Sequence, residues 1–266
     1  MFRKKKKKLS RIPVDRLLIR ASVRTDAGCV RSNNEDCAGF LFLGGSKTDF
    51  FAILADGMGG YERGEEASAT MVRAACDDNG RTMGGRPRRW LAGLFAAANR
   101  CIHARARRLN VVMGTTCSML LIRRRKAYCA HVGDSRIYLL ADGVLQQLTR
   151  DHTLVNELVR QGRITSAEAA THPQRSVLVR AIGTSPDVAP DIFRIKAPLR
   201  AGSRFLLCSD GLHDLVPEAE IRRLLSARPL REVAPSLIAL ARERGGYDNI
   251  TAVVVEINEK TDTLPS

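Results

Sequence analysis

The chain has 266 residues, of which 44% are hydrophobic, and its 43 Lys and Arg against 28 Asp and Glu give a formal net charge of +15. This apolar content excludes a wholly disordered chain. No run of about 18 apolar residues is present, which excludes a membrane-spanning helix. The length is compatible with one large domain or with two small ones.

The basic charge is concentrated at the start of the chain, where residues 1–20 hold nine basic residues against Asp15. The lysine block of residues 4–8 repels itself, so we predict a solvated, disordered tail over residues 1–20. No apolar stretch follows the lysines, which argues against a signal peptide. Two interpretations stay open, a cationic tail without a partner and a contact with an anionic membrane or nucleic acid.

Seven cysteines are scattered along the chain without any CxxC pair. An odd number of unclustered thiols is typical of a reducing compartment and predicts a cytoplasmic protein. The five histidines share no ligand spacing with the cysteines. The sequence therefore gives no support to a zinc site.

Short apolar runs bounded by turn residues predict strands, which in chain order lie at residues 50–55, 117–122, 128–132, 137–140, 144–148, 205–208 and 250–257. Helical periodicity occurs at residues 65–77, 90–109 and 230–244. The dipeptide Asp142-Gly143 predicts a tight hairpin. Helices that flank a block of hairpin-linked strands indicate an α+β domain with helices covering antiparallel sheets.

Several acidic residues stand where a predicted strand meets a loop. Asp56, Asp210 and Asp134 follow strands, and Asp248 precedes the last one. A single Asp beside Gly is most often a simple turn. If these carboxylates converge to about 5 Å, each pair repels by roughly 3 kcal/mol at an effective dielectric constant of 20, so bound cations are required. Oxygen ligands without His or Cys favour Mg²⁺ or Mn²⁺.

A series of short motifs runs through the chain in a fixed order. They are RSNNED at residues 31–36, DGMGG at 56–60, GTT at 114–116, GDSR at 133–136, DH at 151–152, SDGLHD at 209–214 and DNIT at 248–251. With these motifs the chain resembles the protein phosphatase 2C family, the metal-dependent serine/threonine phosphatases, in its compact bacterial form. The resemblance extends from about residue 22 to residue 257, which is nearly the whole chain apart from its ends.

The resemblance implies a fold and a domain organisation. The expected fold is a four-layer αββα sandwich, in which two antiparallel sheets are flanked by helices. One catalytic domain is expected over residues 21–258, with a flap at about residues 149–183 and a short C-terminal tail at 259–266. The protein is expected to be a monomer.

The resemblance also implies a centre of two Mn²⁺ or Mg²⁺ ions. By position in the motifs, Asp56 corresponds to the carboxylate that bridges both ions, and the backbone carbonyl of Gly57 to a ligand of one of them. Asp210 and Asp248 correspond to the other direct ligands.

Further residues correspond to supporting positions of the family. Asp134 and Asp214 resemble the ligands of a weaker third ion in bacterial members. Glu35 and Asp36 correspond to outer-sphere acids that hold water around the metals. Arg31 corresponds to the arginine that binds the substrate phosphate, for which its planar guanidinium is well suited.

The implied reaction is hydrolysis of phosphoserine or phosphothreonine in proteins by direct attack of a water that bridges the two ions. Phosphorylated proteins and a cognate serine/threonine kinase are the expected partners. Eukaryotic members carry a histidine as the presumed acid where this chain has Met58. The proton donor therefore stays open, with a metal-held water as the preferred hypothesis, because His131, His152 and His213 are more often structural in such positions.

A basic flap is a further hypothesis of the sequence. Arg160, Arg163, Arg175 and Arg180 lie in the predicted flap and would steer acidic or phosphorylated segments to the site. Two alternatives to an enzyme are a pseudophosphatase that binds phosphoproteins or a kinase, and a protein that binds anionic surfaces through its tail. The complete set of expected metal-binding carboxylates favours the enzyme.

Overall fold

The computed structural model describes residues 16–58 and 63–259. Eleven strands lie in these ranges: β1 (Leu17–Asp26), β2 (Asp36–Phe42), β3 (Phe50–Met58), β4 (Gly114–Thr115), β5 (Cys117–Arg123), β6 (Lys126–Val132), β7 (Arg136–Ala141), β8 (Val144–Gln147), β9 (Asp191–Arg194), β10 (Arg204–Cys208) and β11 (Ile250–Glu259). The same ranges hold seven α-helices: α1 (Gly64–Asp78), α2 (Pro87–Leu109), α3 (Leu154–Arg160), α4 (Ser166–Thr171), α5 (Asp210–His213), α6 (Glu218–Ala227) and α7 (Leu230–Glu243). Among the helices of these ranges, none is long and apolar enough to span a membrane.

The strands form two sheets. Sheet 1 has the order β1-β11-β10-β7-β8, and sheet 2 has the order β2-β3-β5-β6-β9, with β4 paired to β3 outside this path. Neighbouring strands of both sheets run antiparallel. The predicted antiparallel arrangement is confirmed.

Alternation of side chains along the strands divides the interior into three apolar layers. In β3, Phe51 and Ile53 pack against α1 and α2, whereas Phe50 and Leu54 point between the two sheets. In β10, Leu206 packs on the opposite face of sheet 1 with α6 and α7. Successive strand residues point to opposite faces, so both faces of each sheet are covered. The predicted four-layer αββα sandwich is therefore confirmed.

Strand β1 corrects the predicted N-terminal tail. It begins at Leu17, so its first four residues fall within the predicted tail, and it pairs with β11 over its whole length. Leu17 and Ile19 are buried between the sheets, while Arg20 is exposed. The arginines concealed this alternation because an edge strand can carry charge on its outer face. The rest of the predicted tail, residues 1–15, lies outside the described residues, as do residues 260–266 of the predicted C-terminal tail.

Four acidic residues meet where strand ends of the two sheets lie close together. We call this region the acidic end. Asp36 begins β2 and stands opposite Asp56 in the register of β2 and β3. Asp210 follows β10, and Asp248 precedes β11, which is antiparallel to β10. The C-terminal end of one antiparallel strand lies beside the N-terminal end of its neighbour, and this topology brings residues far apart in sequence together.

Candidate metal centre

Asp56 and Gly57 lie near the end of β3, where the strand reaches the acidic end. Asp56 is half-buried, and Gly57 donates its backbone N–H to the carbonyl of Glu35 at 3.1 Å. A Cβ atom at Gly57 would lie 2.3 Å from the carbonyl oxygen of Gly64. Only glycine fits at this close approach between β3 and the start of α1.

Two threonines bind the backbone of Asp56, and the sequence alone assigns neither of them a role. The N–H of Thr116 donates to the Asp56 carbonyl at 2.8 Å, and the Asp56 N–H donates to Thr116 Oγ1 at 3.1 Å. Thr115 Oγ1 donates to the same carbonyl at 2.9 Å. Motif GTT therefore fixes the position from which the Asp56 carboxylate projects.

The segments that carry Asp210 and Asp248 are in direct backbone contact. A Cβ atom at Gly211 would lie only 2.2 Å from the carbonyl oxygen of Asn249. The N–H of Asn249 donates to Asp248 Oδ1 at 2.8 Å and orients that carboxylate. The glycine of the SDG motif thus allows the start of α5 to approach the loop before β11.

Asn249 links this loop to the N-terminal motif. Its Nδ2 donates to the carbonyls of Ala27 at 3.0 Å and Asn33 at 2.8 Å. Its Oδ1 accepts the N–H of Glu35 at 2.8 Å. The sequence marked Asn249 only as a motif member, since its role depends on contacts across more than 200 residues of chain.

The carboxylates at the acidic end influence one another strongly. Removal from water raises the pKa of Asp56, and the charges of Asp36, Asp210, Asp134 and Asp248 raise it further. Burial likewise raises the pKa of Asp210, to which the charge of Asp248 adds. Like charges that share a poorly solvated site oppose each other's ionisation. The structure thus brings together the acids that the sequence placed in separate motifs.

Asp36 and Glu35 lie beside this cluster. Burial raises the pKa of Asp36 to about 7, although its Oδ2 accepts a 2.8 Å hydrogen bond from Ser209 Oγ. Asp36 Oδ1 is buried and has no hydrogen-bond partner among the described residues. Burial also raises the pKa of Glu35, with a contribution from Glu65. Both side chains have acceptor capacity left for water.

The donor set fits a hard divalent cation. It consists of carboxylates and the Gly57 carbonyl, which are the oxygen ligands that Mg²⁺ and Mn²⁺ prefer. Over residues 16–58 and 63–259, no three His, Cys, Asp or Glu side chains are already arranged to hold an ion by themselves. Mg²⁺ usually completes its coordination sphere with backbone and water oxygens. The unpartnered Oδ1 of Asp36 agrees with such a hydrated site.

Asp134 and Asp214 border a cavity of about 450 Å³ that also contacts Asp210. Burial raises the pKa of Asp134, and the charge of Asp210 raises it further. Burial acts in the same sense on Asp214, but the hydrogen bond and charge of His213 and the charge of Arg175 outweigh it and lower the pKa of Asp214. The Arg175 guanidinium lies 3.6 Å from the Asp214 carboxylate. Asp214 thus already has cationic neighbours, unlike Asp134.

Helices α3 and α4 lie in the predicted flap and contribute residues to the lining of this cavity. Asp151 lies near the start of the predicted flap. Its buried carboxylate accepts hydrogen bonds from Arg136 Nε at 3.0 Å and Nη2 at 2.7 Å. This paired contact ties the flap to the start of β7. Sequence reasoning missed it, although both residues belong to recognised motifs.

The flap arginines are less free than the sequence suggested. Arg160 pairs with Glu157 one turn away on α3, and Arg180 Nη1 lies 3.0 Å from Asp191 Oδ1. Arg163 is exposed and has no ion-pair partner in the described part of the chain. Its charge is thus more available for steering than that of the two paired arginines.

Arg31 lies at the exposed rim of the acidic end. Its Nη2 donates to Asp248 Oδ2 at 2.8 Å, and this contact raises the pKa of Arg31. The side chain is about half exposed, with a relative accessible surface of 55%. Its position allows the guanidinium to reach an anion that approaches the acidic end from solvent.

The three histidines near the motifs have structural contacts. His131 is fully buried, with Nδ1 3.0 Å from Ser118 Oγ, and burial lowers its pKa to about 4. His152 Nδ1 accepts the N–H of Gly133 at 3.1 Å. His213 Nε2 lies 3.1 Å from the carbonyl oxygen of Asp134, to which it donates as the Nε2–H tautomer. These contacts agree with the structural interpretation of the histidines.

Comparison with known proteins gives the same assignment as the motifs. The family model described as protein phosphatase 2C matches residues 31–245. The chain belongs to the protein phosphatase 2C family. It is 41% identical over 245 residues to the serine/threonine protein phosphatase PstP of Mycobacterium tuberculosis, a match that covers 91% of this chain and 45% of PstP.

One other family member and the solved catalytic domain of PstP are matched over almost their whole length. The serine/threonine phosphatase stp of Listeria innocua is 39% identical over 245 residues, which cover 90% of this chain and 96% of stp. The crystal structure of the catalytic domain of PstP in complex with two manganese ions has a TM-score of 0.79 and 37% identity, and covers 91% of this chain and 99% of that domain. This chain therefore spans less than half of full-length PstP and nearly all of its catalytic domain.

Proposed function

We propose that this protein phosphatase 2C family member hydrolyses phosphoserine and phosphothreonine in proteins with the help of divalent metal ions. The observation that supports it most is the convergence of Asp56, Asp210 and Asp248 from three separate strands beside the Gly57 carbonyl. Such a concentration of carboxylates is unfavourable without cations.

In the proposed centre, Asp56, the Gly57 carbonyl, Asp210 and Asp248 would hold two Mn²⁺ or Mg²⁺ ions. When bound, these ions lower the pKa of coordinated water and neutralise the charge that develops on the phosphate. Asp134 and Asp214 are proposed ligands of a third, weaker ion. The charge of Arg175 beside Asp214 agrees with the lower expected affinity of that position.

The remaining polar residues bind and orient the reactants. Arg31 is proposed to exchange its contact with Asp248 for two oxygens of the substrate phosphate, as its exposure and rim position permit. Glu35 and Asp36 are proposed to accept hydrogen bonds from water next to the ligands. No phosphoenzyme is required, since the displaced group is a serine or threonine alkoxide and water is the nucleophile.

The proposed substrates are phosphorylated proteins, and a kinase that phosphorylates the same proteins is a proposed partner. The cavity of about 450 Å³ under the flap supports a substrate that extends beyond the phosphate. The proposed catalytic unit extends from the start of β1 to the end of β11, with the flap between β8 and β9.

Hydrolysis of a phosphothreonine peptide tests the proposal. We expect activity with Mn²⁺, loss of activity in EDTA, and recovery when excess Mn²⁺ is restored. Asp210→Asn should lower kcat by more than about a hundredfold because a direct ligand loses its charge. Asp187→Asn is the matched control, because Asp187 is exposed and its carboxylate makes no hydrogen bond within the described ranges. Full activity of Asp210→Asn in EDTA would refute the metal-dependent mechanism.

A further inference from the structure

A basic cavity lies at the opposite edge of the two sheets from the metal centre. The cavity has a volume of about 370 Å³ and lies between the β5–β6 turn and the loop from β9 to β10. Six of its ten lining residues are basic and none is acidic, the six being Arg124, Arg125, Lys126, Arg194, Lys196 and Arg200. We call this feature the distal basic pocket.

The charges of the distal basic pocket are almost uncompensated. Arg200 pairs with Asp142, and the other five basic side chains have no hydrogen-bond or ion-pair partner among residues 16–58 and 63–259. Arg124, Lys126, Arg194 and Lys196 are exposed. A concave surface with one sign of charge focuses the field and attracts a partner of the opposite sign.

A rigid framework holds these charges together. Arg123 pairs with Lys126 in the hairpin register, so Arg124 and Arg125 form a two-residue turn with φ values of 47° and 62°. Asn and Gly are the residues that usually occupy such a turn. On the other side, Ile195 is buried and its N–H donates to the carbonyl of Ala127 at 2.9 Å. The basic side chains therefore project from anchored backbone.

The N-terminal basic segment enters the fold at this same edge. Leu17, the first residue of β1, stands opposite Glu259, the last residue of β11. Phe50, at the start of β3, marks the same edge of sheet 2, and Asp56 marks the acidic end. Phe50 and Asp56 are six strand residues apart, which corresponds to about 20 Å. The lysine block at residues 4–8 is joined by a short stretch of chain to the edge that carries the pocket.

The composition of the pocket favours an acidic bilayer over single-stranded nucleic acid. Single-stranded nucleic acid is usually bound with aromatic side chains that stack on bases, and no aromatic residue lines this pocket. The remaining lining residues include Ala197 and Pro198, which are exposed. Basic residues beside small exposed apolar residues suit the phosphate groups and the interface of an acidic bilayer.

We propose that the distal basic pocket is a docking surface for an anionic membrane. Docking through this edge leaves the acidic end, on the far side of the sheets, open to phosphorylated proteins. The surface acts through summed charge rather than through a shaped phosphate site, so lysine can replace arginine within it.

Binding of the full-length chain to lipid vesicles tests the proposal. The vesicles contain phosphatidylcholine with about one third phosphatidylserine, or phosphatidylcholine alone, and co-sedimentation measures the apparent Kd. The pocket variant carries Arg124→Gln, Lys126→Gln, Arg194→Gln and Lys196→Gln. The control variant carries Arg86→Gln, Arg88→Gln, Arg89→Gln and Arg108→Gln, which remove the same charge from exposed positions on and before α2.

We expect binding to the phosphatidylserine vesicles only, about tenfold weaker for the pocket variant and changed less than about twofold for the control. A variant with Arg124→Lys and Arg194→Lys should bind like the wild type. All variants should hydrolyse a small aryl phosphate at the wild-type rate, since the substituted residues lie far from the acidic end. Thermal unfolding of each variant shows that it is folded, and vesicle binding with this control does not depend on the proposed function.

Four results would overturn the proposal. One is absence of binding to the acidic vesicles, and another is an equal loss for the pocket and control variants. A third is that the pocket variant binds like the wild type, whereas a separate variant with glutamines at residues 4–8 does not bind. This result would assign the contact to the N-terminal lysines alone. The fourth is loss of affinity of the pocket variant for a DNA duplex without loss for vesicles, which would assign the pocket to nucleic acid.

Discussion

Arg31 is a residue whose chemical type, as well as its charge, is open to test. Its guanidinium contacts Asp248 at 2.8 Å and lies at the rim of the proposed metal centre. We expect Arg31→Lys to lower kcat/KM for a phosphopeptide by roughly tenfold to a hundredfold, because lysine cannot form a two-point contact with phosphate.

Arg242→Lys provides the control for this substitution. Arg242 also pairs with an aspartate at 2.8 Å, Asp26, and is similarly exposed. Steady-state kinetics and thermal unfolding should be measured for both variants. Equal kinetic losses in the two variants, or none for Arg31→Lys, would contradict a role of Arg31 in phosphate binding.

Gly57 tests how closely β3 and α1 must approach. A Cβ atom there would lie 2.3 Å from the Gly64 carbonyl oxygen, whereas one at Gly39 of β2 would have no neighbour within 4 Å. We expect Gly57→Ala to reduce the free energy of unfolding by about 1–3 kcal/mol or more, as overpacking does. Urea denaturation should find Gly39→Ala nearly neutral, and a neutral Gly57→Ala would show that the contact can relax.

At the scale of elements, one ion pair makes a testable contribution to the attachment of the flap. Arg136 and Asp151 have side-chain relative accessible surfaces of 24% and 8%, so loss of the arginine leaves a buried carboxylate without its cation. We expect Arg136→Met to lower the free energy of unfolding by about 3 kcal/mol. The double variant Arg136→Met with Asp151→Leu should recover much of this loss. Denaturation of the two single variants and of the double variant gives the coupling energy.

The elements also differ in how well the sequence predicts them. The predicted strands at residues 117–122 and 205–208 are confirmed because their apolar runs are continuous and end at turn residues. Helix α6 was missed, since its apolar stripe is limited to Ile221, Leu224 and Leu225 within ten residues. Short elements with one narrow apolar face carry little local signal, and their structure depends on the layer against which they pack.

The candidate site shows the same division between local and long-range information. Its acids stand in recognisable motifs, so Asp56, Asp210 and Asp248 could be named from the sequence. The contacts of Thr116 with Asp56, and of Asn249 with the loop between β1 and β2, could not be named. These contacts depend on which strand ends become neighbours, and pairing between distant strands has no local pattern in the chain.

For the whole molecule, buried histidine predicts a pH dependence of stability. Burial lowers the pKa of His131 to about 4 from an ordinary value near 6.5. Between these two values the unfolded chain binds a proton at this histidine that the folded chain does not bind. The contribution of neutral His131 is therefore complete above pH 6.5 and is lost as the pH falls toward 4.

A variant isolates this histidine from the many carboxylates that titrate in the same range. We expect the difference in free energy of unfolding between the wild type and His131→Asn to change by about 3 kcal/mol in favour of the variant from pH 7 to pH 4. His172→Asn serves as the control, because His172 is only half-buried and directly follows α4. A pH-independent difference for His131→Asn would show that folding does not lower the pKa of His131.

The pairing of β1 with β11 has a consequence for how the chain acquires its structure. Asp26 stands opposite Ile250 and Leu17 opposite Glu259, so the first described strand has its sheet partner at the end of the described chain. During synthesis, β1 therefore waits unpaired until almost every other element has left the ribosome. Contacts of such long sequence separation form slowly. Strand β11 completes sheet 1 and carries Asp248 toward Asp56, so a nascent chain lacks an assembled proposed metal centre until β11 has been synthesised.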